Sequence, residues 1–281
     1  MTFTLEGFDL DAFVAATLAE DLGAGGDVTS AAVIPAEARF EAVMDSRDAI
    51  TVCGLDIAAA FFRHLDAAAA ITMLVVDGDR VAPGTALMRI TGNARALLTA
   101  ERSALNTVQH LSGVATLTAA YVDAIAGSGA TLLDTRKTIP GLRRLEKYAT
   151  RTGGARNHRM GLWDAAMIKD NHVAVAVGVG PAAALAKAAG IATIIVEVDR
   201  LDQIEPAITA GATHLLLDNM APDMLRAAVA IVAGRVPTEA SGGVTLETIG
   251  AIARSGVRYV SVGRITQSAP AADIGLDFAE L

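Results

Sequence analysis

The residue types best suited to chemistry are concentrated in one stretch of this chain, DTRKTIPGLRRLEKYATRTGGARNHR, which runs from Asp134 to Arg159. Between Arg136 and Arg159 there are eight Lys or Arg residues and one carboxylate, Glu146, although the whole chain has a formal net charge of -8. Such a local reversal of charge predicts an anion site. Because an acidic chain repels nucleic acid and anionic membranes, the expected ligand is a small, strongly anionic molecule. The alternative is a solvated run of charge.

Four cations of this region are expected to lie near the ends of two strands or on the loop between them: Arg136, Lys137, Arg159 and Lys169. The arginine fork suits planar carboxylates, whereas lysine acts as a point charge that is well matched to phosphate. Both types together predict a ligand that carries carboxylates and phosphates. The alternative for either arginine is an ion pair with Glu197 or Asp218.

Glu197 and Asp218 each follow an apolar run, where an unpaired carboxylate is costly unless it meets a cation, a metal or a ligand hydroxyl. Magnesium takes one or two protein carboxylates together with substrate phosphates, and this pair could supply them. The pair therefore predicts a sugar and Mg²⁺ site. A plain salt bridge to Lys169 or Arg136 is the alternative.

Glycines in two later segments predict a phosphate cradle. Ser241, Gly242 and Gly243 stand between a predicted strand and a helix that starts near Leu246, and Gly263 follows one βα unit later. Backbone N–H groups in such loops bind phosphate with help from the helix N-terminus. Phosphate sites of βα barrels often use the last two such loops.

Among the histidines, His158 lies inside the cationic stretch and could orient a carboxylate, while the role of His172 stays open. The others are interpreted as packing or surface residues, namely His64, His110 and His214. Lys169 has a second possible role, because a lysine at a barrel strand end can form a Schiff base with a carbonyl substrate.

These side chains need a scaffold that brings strand ends together, and the pattern after residue 128 supplies one. Short apolar runs alternate with Ala-rich helical segments, which is typical of βα units around a parallel sheet. The runs are Ala130 to Leu133, Ala165 to Ile168, Thr193 to Val196, His214 to Leu217, Pro237 to Ala240 and Tyr259 to Val262. We therefore predict an α/β protein with an open or incomplete βα barrel of about six strands, whose site lies at the carboxyl ends of the strands. A doubly wound sheet is the alternative.

The first part of the chain is predicted to be a smaller α+β domain over residues 1–113, followed by the barrel over 114–268, with the tail 269–281 packing back on the first domain. Its predicted helices begin near Leu10 and after Asn93, and Gly113 is predicted to end or bend the second one. The predicted strands are Phe40 to Asp45, Ile71 to Val76 and Ala86 to Ile90. Within the cationic stretch, only Gly141 to Arg151 is predicted to be helical.

Composition indicates the size of the core and the cellular compartment. The chain has 281 residues with 52% hydrophobic content, which is enough for a sizeable core. Cys53 is its only cysteine, so no intrachain disulfide can form, and the N-terminus carries acids where a signal peptide would carry basic residues. We expect a cytoplasmic protein with neither nucleic acid nor a membrane as partner.

The ordered motifs resemble those of the quinolinate phosphoribosyltransferase family, over essentially the whole chain. The motifs are Glu20-Asp21-Leu22-Gly23, Gly26-Asp27-Val28-Thr29-Ser30, Glu101-Arg102, Leu105-Asn106, Asp134-Thr135-Arg136-Lys137-Thr138, Pro140-Gly141-Leu142-Arg143, Glu146-Lys147-Tyr148-Ala149, Asn157-His158-Arg159, Ile168-Lys169-Asp170-Asn171-His172, Val196-Glu197-Val198, Leu217-Asp218-Asn219-Met220 and Glu239-Ala240-Ser241-Gly242-Gly243. The resemblance implies a decarboxylating pentosyltransferase that uses quinolinate, 5-phosphoribosyl 1-pyrophosphate and Mg²⁺. It also implies a homodimer or a dimer-based oligomer.

The resemblance assigns roles to the candidate residues. The quinolinate carboxylates would be held by Arg136, His158, Arg159 and Lys169, joined by Arg102 from a partner chain. Lys137 would serve the pyrophosphate end, and Glu197 and Asp218 the ribose hydroxyls and magnesium. The 5-phosphate would be bound by Ser241, Gly242, Gly243 and Gly263. Lys137, Lys169, Glu197 and Asp218 are the expected catalytic residues.

One departure and three rivals remain at this point. The family commonly has histidine where this chain has Gln267, which puts the role of that side chain in doubt. The rivals are the molybdenum-transport-associated branch of the same superfamily, a barrel lyase that uses Lys169 as a Schiff base, and a catalytically silent anion-binding protein.

Overall fold

The computed structural model describes residues 3–280. The strands are β1 (Arg39–Ser46), β2 (Ile50–Thr51), β3 (Ala70–Met73), β4 (Arg80–Val81), β5 (Ala86–Asn93), β6 (Thr131–Leu133), β7 (Ala166–Ile168), β8 (Ile194–Val198), β9 (His214–Asp218), β10 (Thr238–Ser241), β11 (Tyr259–Ser261) and β12 (Ile274–Glu280). The helices are α1 (Leu10–Leu22), α2 (Val28–Val33), α3 (Leu55–Leu65), α4 (Ala94–Ala124), α5 (Arg143–Thr152), α6 (Asp170–Val175), α7 (Val179–Ala188), α8 (Ile204–Ala210), α9 (Pro222–Val232), α10 (Leu246–Ala253) and α11 (Arg264–Gln267), with a 3-10 turn at Leu201–Gln203. Within residues 3–280, none of these helices has both the length and the apolar character that crossing a bilayer requires.

The chain forms two compact units, each assembled from more than one segment. The first contains the described residues of Met1–Leu117, Arg144–Gly153 and Ser268–Leu281, and the second contains Thr118–Arg143 and Gly154–Gln267. Helix α4 therefore contributes to both units. Helix α5 belongs to the first unit, although in sequence it lies between two strands of the second.

The first unit is built on an antiparallel sheet with the strand order β12-β1-β5-β3, and β2 pairs separately with β4. In β1, Ala42 and Met44 are fully buried at a spacing of two, as a strand with one core face requires. Phe61 and Phe62 of α3 are also fully buried. The three strands predicted for this region are confirmed, with ends that differ by a few residues.

The prediction that Gly113 ends α4 is wrong, because the helix continues to Ala124. A Cβ atom at Gly113 would overlap the backbone carbonyl of Pro270. The glycine therefore permits the segment before β12 to pass close to the helix, and it does not act as a helix stop.

The second unit is built on six parallel strands in the order β6-β11-β10-β9-β8-β7. Strands β7 to β11 follow one another around the sheet, and β6 then lies beside β11. This is the circular order of a barrel that is open between β6 and β7. A doubly wound sheet would reverse its winding direction partway, so that alternative is excluded and the predicted open βα barrel of six strands is confirmed.

Alternation along these strands sets which side chains face the interior. Ala165, Ile195 and Leu216 form a buried cluster with Met167 packed against it. Since side chains two residues apart share a face, polar residues two positions further along the strands face the same interior space. They are Lys169 after Met167, Glu197 after Ile195 and Asp218 after Leu216.

Candidate active site

A cavity of about 820 Å³ lies in the second unit at the carboxyl ends of its six strands. It brings together eleven of the candidate residues: Arg136, Lys137, His158, Arg159, Lys169, Glu197, Asp218, Ser241, Gly242, Gly243 and Gly263. Gln267, which departs from the family pattern, also lines it. The twelfth candidate, Arg102, is an exposed residue of α4 in the first unit, and its role stays a prediction.

Two arginines that line the cavity have unmet hydrogen-bonding capacity. The Nε atoms of Arg136 and Arg159 are both buried, and no acceptor within residues 3–280 receives a hydrogen bond from either. Burial lowers the pKa of Arg159, and the charge of Arg136 lowers it further. The expected alternative, an ion pair with Glu197 or Asp218, does not form among the described residues. Two neighbouring, half-buried cations can be stabilised by an anion that binds both of them.

The two carboxylates that line the cavity already have partners. Lys169 Nζ donates to Glu197 Oε2 at 2.8 Å, so the salt bridge considered for Glu197 is present. Asp218 Oδ2 accepts from Asn219 Nδ2 at 2.6 Å. In the described part of the chain, no group of three or more His, Cys, Asp or Glu residues is arranged to hold a metal ion by itself.

The two predicted phosphate loops differ in why they need glycine. Gly242 has φ +96° and Gly243 has φ +58°, and a Cβ at Gly242 would also overlap the side-chain amide of Asn219. A Cβ at Gly263 would lie 2.7 Å from Cδ of Lys137, so this glycine lets the lysine side chain pass close. The first loop leads directly into α10, whose N-terminal N–H groups are suited to an anion.

Two supporting residues were not found from the sequence. Asp134, which is fully buried, accepts from Asn157 Nδ2 at 2.6 Å and from the backbone N–H of His158 at 2.8 Å. Thr266 is also buried, and its hydroxyl donates to the carbonyl oxygen of Lys137 at 2.7 Å. These hydrogen bonds fix the two loops that carry the cations.

A third unpredicted feature is a buried carboxylate that faces two histidines. Oε2 of Glu239 lies 3.3 Å from Nε2 of His158 and 2.9 Å from Nε2 of His214, and the Glu239 side chain is 0% exposed. The His214 ring stacks on Tyr259 with 5.6 Å between centroids. Burial raises the pKa of Glu239, but the nearby side chains of His158, His214 and Ser261 outweigh burial and lower the pKa to about 2. His214 is therefore not the ordinary packing residue that the sequence suggested.

Comparison with known proteins relates both parts of the chain to one family. A family profile described as the N-terminal domain of quinolinate phosphoribosyl transferase matches residues 27–112, and the corresponding C-terminal domain profile matches 114–277. A nicotinate-nucleotide pyrophosphorylase [carboxylating] of Mycobacterium leprae is 43% identical, with coverage of 92% of this chain and 94% of the relative. A chloroplastic protein of the same name from Arabidopsis thaliana is 39% identical, with 96% and 82% covered.

Solved structures agree with this relationship. NadC from Streptococcus pyogenes has a TM-score of 0.93 and 37% identity, with 99% of this chain and 100% of that chain covered. The nicotinate-nucleotide pyrophosphorylase from Francisella tularensis has a TM-score of 0.92 and 38% identity, with the same coverage. Together with the cavity of unpaired arginines, acids and glycine loops, these matches establish that the chain belongs to the quinolinate phosphoribosyltransferase family.

Proposed function

We propose that this protein transfers the phosphoribosyl group of 5-phosphoribosyl 1-pyrophosphate to quinolinate with loss of CO2, giving nicotinate mononucleotide and pyrophosphate for NAD biosynthesis. The observation that carries the proposal is the pair of arginines whose buried Nε atoms lack acceptors, in the same cavity as two acids and two glycine loops. Quinolinate has two adjacent carboxylates, so it can neutralise both arginines at once. The names of the matched relatives support the same reaction.

The acceptor half of the cavity comprises Arg136, His158, Arg159 and Lys169. The two arginines donate to the carboxylates of quinolinate through forked hydrogen bonds, and Lys169 adds a point charge. His158 contributes to this half by fixing the loop from which Arg159 extends. Arg102 of a second copy would complete this half, as the family resemblance implies.

The donor half comprises Lys137, Glu197, Asp218 and the glycine loops. Lys137 serves the pyrophosphate, and the two carboxylates accept from the ribose hydroxyls. The 5-phosphate binds to backbone N–H groups of Ser241, Gly242, Gly243 and Gly263, helped by the N-terminus of α10.

Magnesium fits the donor half because Mg²⁺ prefers one or two protein carboxylates together with phosphate oxygens and water. Glu197 and Asp218 are two carboxylates on neighbouring strands that face one cavity, which matches that donor set. The ion would neutralise charge on the pyrophosphate leaving group.

The cavity's own residues favour a positively charged transition state at the donor. The pyridine nitrogen forms a bond to the anomeric carbon as the bond from that carbon to the pyrophosphate oxygen breaks, and Glu197 and Asp218 stabilise the charge that develops on the ribose. The arginines hold the ring in line for attack. The ring nitrogen is then positive, so the bond from C2 to its carboxylate breaks, the electron pair remains on C2, and C2 takes up a proton.

A Schiff-base role for Lys169 is disfavoured, because that chemistry needs a neutral amine and Lys169 Nζ is paired with the Glu197 carboxylate. A silent anion-binding protein would require only the acceptor half. The acids and glycine loops of the donor half support an enzyme.

The proposed enzyme is a cytoplasmic homodimer, or an oligomer built from dimers, in which Arg102 acts across the interface. Arg102→Ala and Arg136→Ala proteins, each inactive alone, should regain some activity when mixed as dimers. A verified heterodimer without activity would contradict the shared site.

The reaction is tested by incubating the purified protein with Mg²⁺ and 5-phosphoribosyl 1-pyrophosphate, with quinolinate in one tube and nicotinate in another. Mass spectrometry should find nicotinate mononucleotide only in the quinolinate tube. Quinolinate binding without product in either tube would overturn the proposed reaction. Release of CO2 from quinolinate in the absence of the ribosyl donor would overturn the proposed order of steps.

A further inference from the structure

We propose that Glu239 is a positioning residue for the acceptor half: it fixes the ring of His158, and through that ring the backbone from which Arg159 reaches the acceptor. This inference rests on the proposed function. It adds two residues, Glu239 and His214, to those that determine how tightly quinolinate is bound.

The two ring nitrogens of His158 have different neighbours. The backbone N–H of Arg159 donates to Nδ1 of His158 at 2.7 Å. Nδ1 must therefore carry the lone pair, which leaves the proton of the neutral ring on Nε2. Nε2 lies 3.3 Å from Oε2 of Glu239, so the protonated nitrogen is in close contact with the carboxylate, although without hydrogen-bond geometry. The His158 ring thus lies between a buried carboxylate and the Arg159 backbone.

His214 holds Glu239 in place from the neighbouring strand. His214 begins β9 two residues before Leu216, and Leu216 is the register partner of Glu239 on β10. Because side chains two residues apart share a strand face, His214 and Glu239 must lie on the same side of the sheet. The Nε2 atom of His214 is 2.9 Å from the same oxygen that faces His158. The stacking of His214 on Tyr259 holds its ring in that orientation.

The cluster of Glu239, His158 and His214 is linked to Arg159 through the Arg159 backbone. The arginine is held at its backbone by His158 and at its guanidinium by a hydrogen bond from Nη1 to the carbonyl of Ala165 at 2.9 Å. Its Nε is left buried without an acceptor. Without the Glu239 carboxylate, His158 can shift its proton to Nδ1, which would then oppose the Arg159 N–H. Arg159 would then lose its backbone anchor and keep only the one at its guanidinium.

The test compares Glu239→Gln, His158→Asn and the double variant by steady-state kinetics. Asparagine at 158 keeps an acceptor near the Nδ1 position but cannot reach Glu239. Each single variant should raise KM for quinolinate about tenfold, while kcat and KM for 5-phosphoribosyl 1-pyrophosphate change by less than about twofold. If Glu239 acts through His158, the double variant should be no worse than the worse single variant.

Two more proteins complete the experiment. Glu205→Gln is the matched control, because Glu205 is exposed, pairs with Arg235 and does not line the cavity, and it should behave as the wild type. His214→Phe keeps the stack on Tyr259 but loses the contact to Glu239, so it should raise KM for quinolinate about threefold. The His214→Phe variant also tests the role of Glu239 if the Glu239→Gln protein does not fold.

The outcomes separate this inference from the reaction itself. An active wild type whose Glu239→Gln and His214→Phe variants keep normal KM for quinolinate would overturn the inference alone. Equal rises in both KM values, or additive losses in the double variant, would overturn it in favour of a general structural role. A wild type that makes no nicotinate mononucleotide would overturn the proposed function and this inference with it.

Discussion

The acceptor and donor halves of the cavity are prepared for their ligands in opposite ways. In the acceptor half, the Nε atoms of Arg136 and Arg159 are buried without acceptors, and burial together with the charge of Arg136 lowers the pKa of Arg159. In the donor half, Glu197 is paired with Lys169 and Asp218 with Asn219. The acceptor half thus needs an anion to complete it, whereas the carboxylates of the donor half already have hydrogen-bond partners.

This difference indicates where binding energy and specificity arise. A buried N–H donor of a cation is costly when it has no acceptor, so the acceptor half gains most from a ligand with two carboxylates. The paired carboxylates of the donor half must exchange protein partners for ribose hydroxyls or Mg²⁺, so the net gain on binding is smaller. Lys169 joins the two halves, because its partner Glu197 belongs to the donor side.

The largest effect is expected from Arg136→Ala, which removes one of the two arginines whose Nε atoms lack acceptors. The kcat/KM for quinolinate should fall ~100-fold or more, since truncating one partner of a buried charged contact costs about 2–5 kcal/mol. Arg136→Lys is the control, because it keeps the charge but loses the fork, and its loss should be smaller. Steady-state kinetics with quinolinate varied would detect both. If kcat/KM for quinolinate fell less than about threefold in the alanine variant, the acceptor half would not depend on an anion as the contrast with the donor half requires.

A somewhat smaller effect is expected from Glu197→Gln in the donor half. The change leaves Lys169 without its carboxylate partner and weakens the contact to ribose, so kcat should fall about 30-fold, which corresponds to ~2 kcal/mol. The Glu205→Gln protein again provides the reference. An unchanged kcat would mean that Glu197 serves only as a salt-bridge partner.

The glycine loop allows a matched pair, Gly242→Ala and Gly243→Ala. Both residues have positive φ, which costs a side chain ~1–2 kcal/mol, but only the Gly242 Cβ would also meet Asn219. KM for 5-phosphoribosyl 1-pyrophosphate should therefore rise about tenfold in the first variant and about threefold in the second, with KM for quinolinate little changed. The reverse order would show that the loop does not bind the phosphate as described.

The smallest effect is expected from Thr266→Val, which removes the hydroxyl that donates to the Lys137 carbonyl. One hydrogen bond contributes ~1 kcal/mol, so KM for 5-phosphoribosyl 1-pyrophosphate should rise about fivefold. Thr266→Ser retains the hydroxyl and should be close to the wild type. Equal kinetics for the valine and serine variants would show that the Thr266 hydroxyl does not support the Lys137 loop.

Much of the barrel could be predicted from the sequence because each strand ends in a polar or glycine residue. In a parallel sheet such ends meet at one edge, so Lys169, Glu197 and Asp218 could be assigned to one cavity before the strand order was known. Gly113 was misread because a glycine needed for a close backbone approach looks the same in sequence as one that ends a helix. Pro270, which explains it, is distant in the chain.

The Glu239 cluster was missed for a related reason. His214 and Glu239 are 25 residues apart, and their proximity depends on the pairing of Leu216 with Glu239 across β9 and β10. The alternation from His214 to Leu216 to Asp218 was a usable signal, since it puts the histidine on the interior face. The contacts of Asp134 were likewise not predicted, because Asn157 and His158 reach it only through the isolated parallel bridge between Leu133 and Arg156.

The central claim is that the unpaired arginines form a dicarboxylate site, and calorimetric titration of the protein with quinolinate and with nicotinate tests it most directly. Quinolinate should bind at least tenfold more tightly than nicotinate, which has one carboxylate, since a charged hydrogen bond contributes about 1.5–3 kcal/mol. In Arg136→Ala this preference should disappear. Equal affinity of the wild type for the two acids would contradict the account.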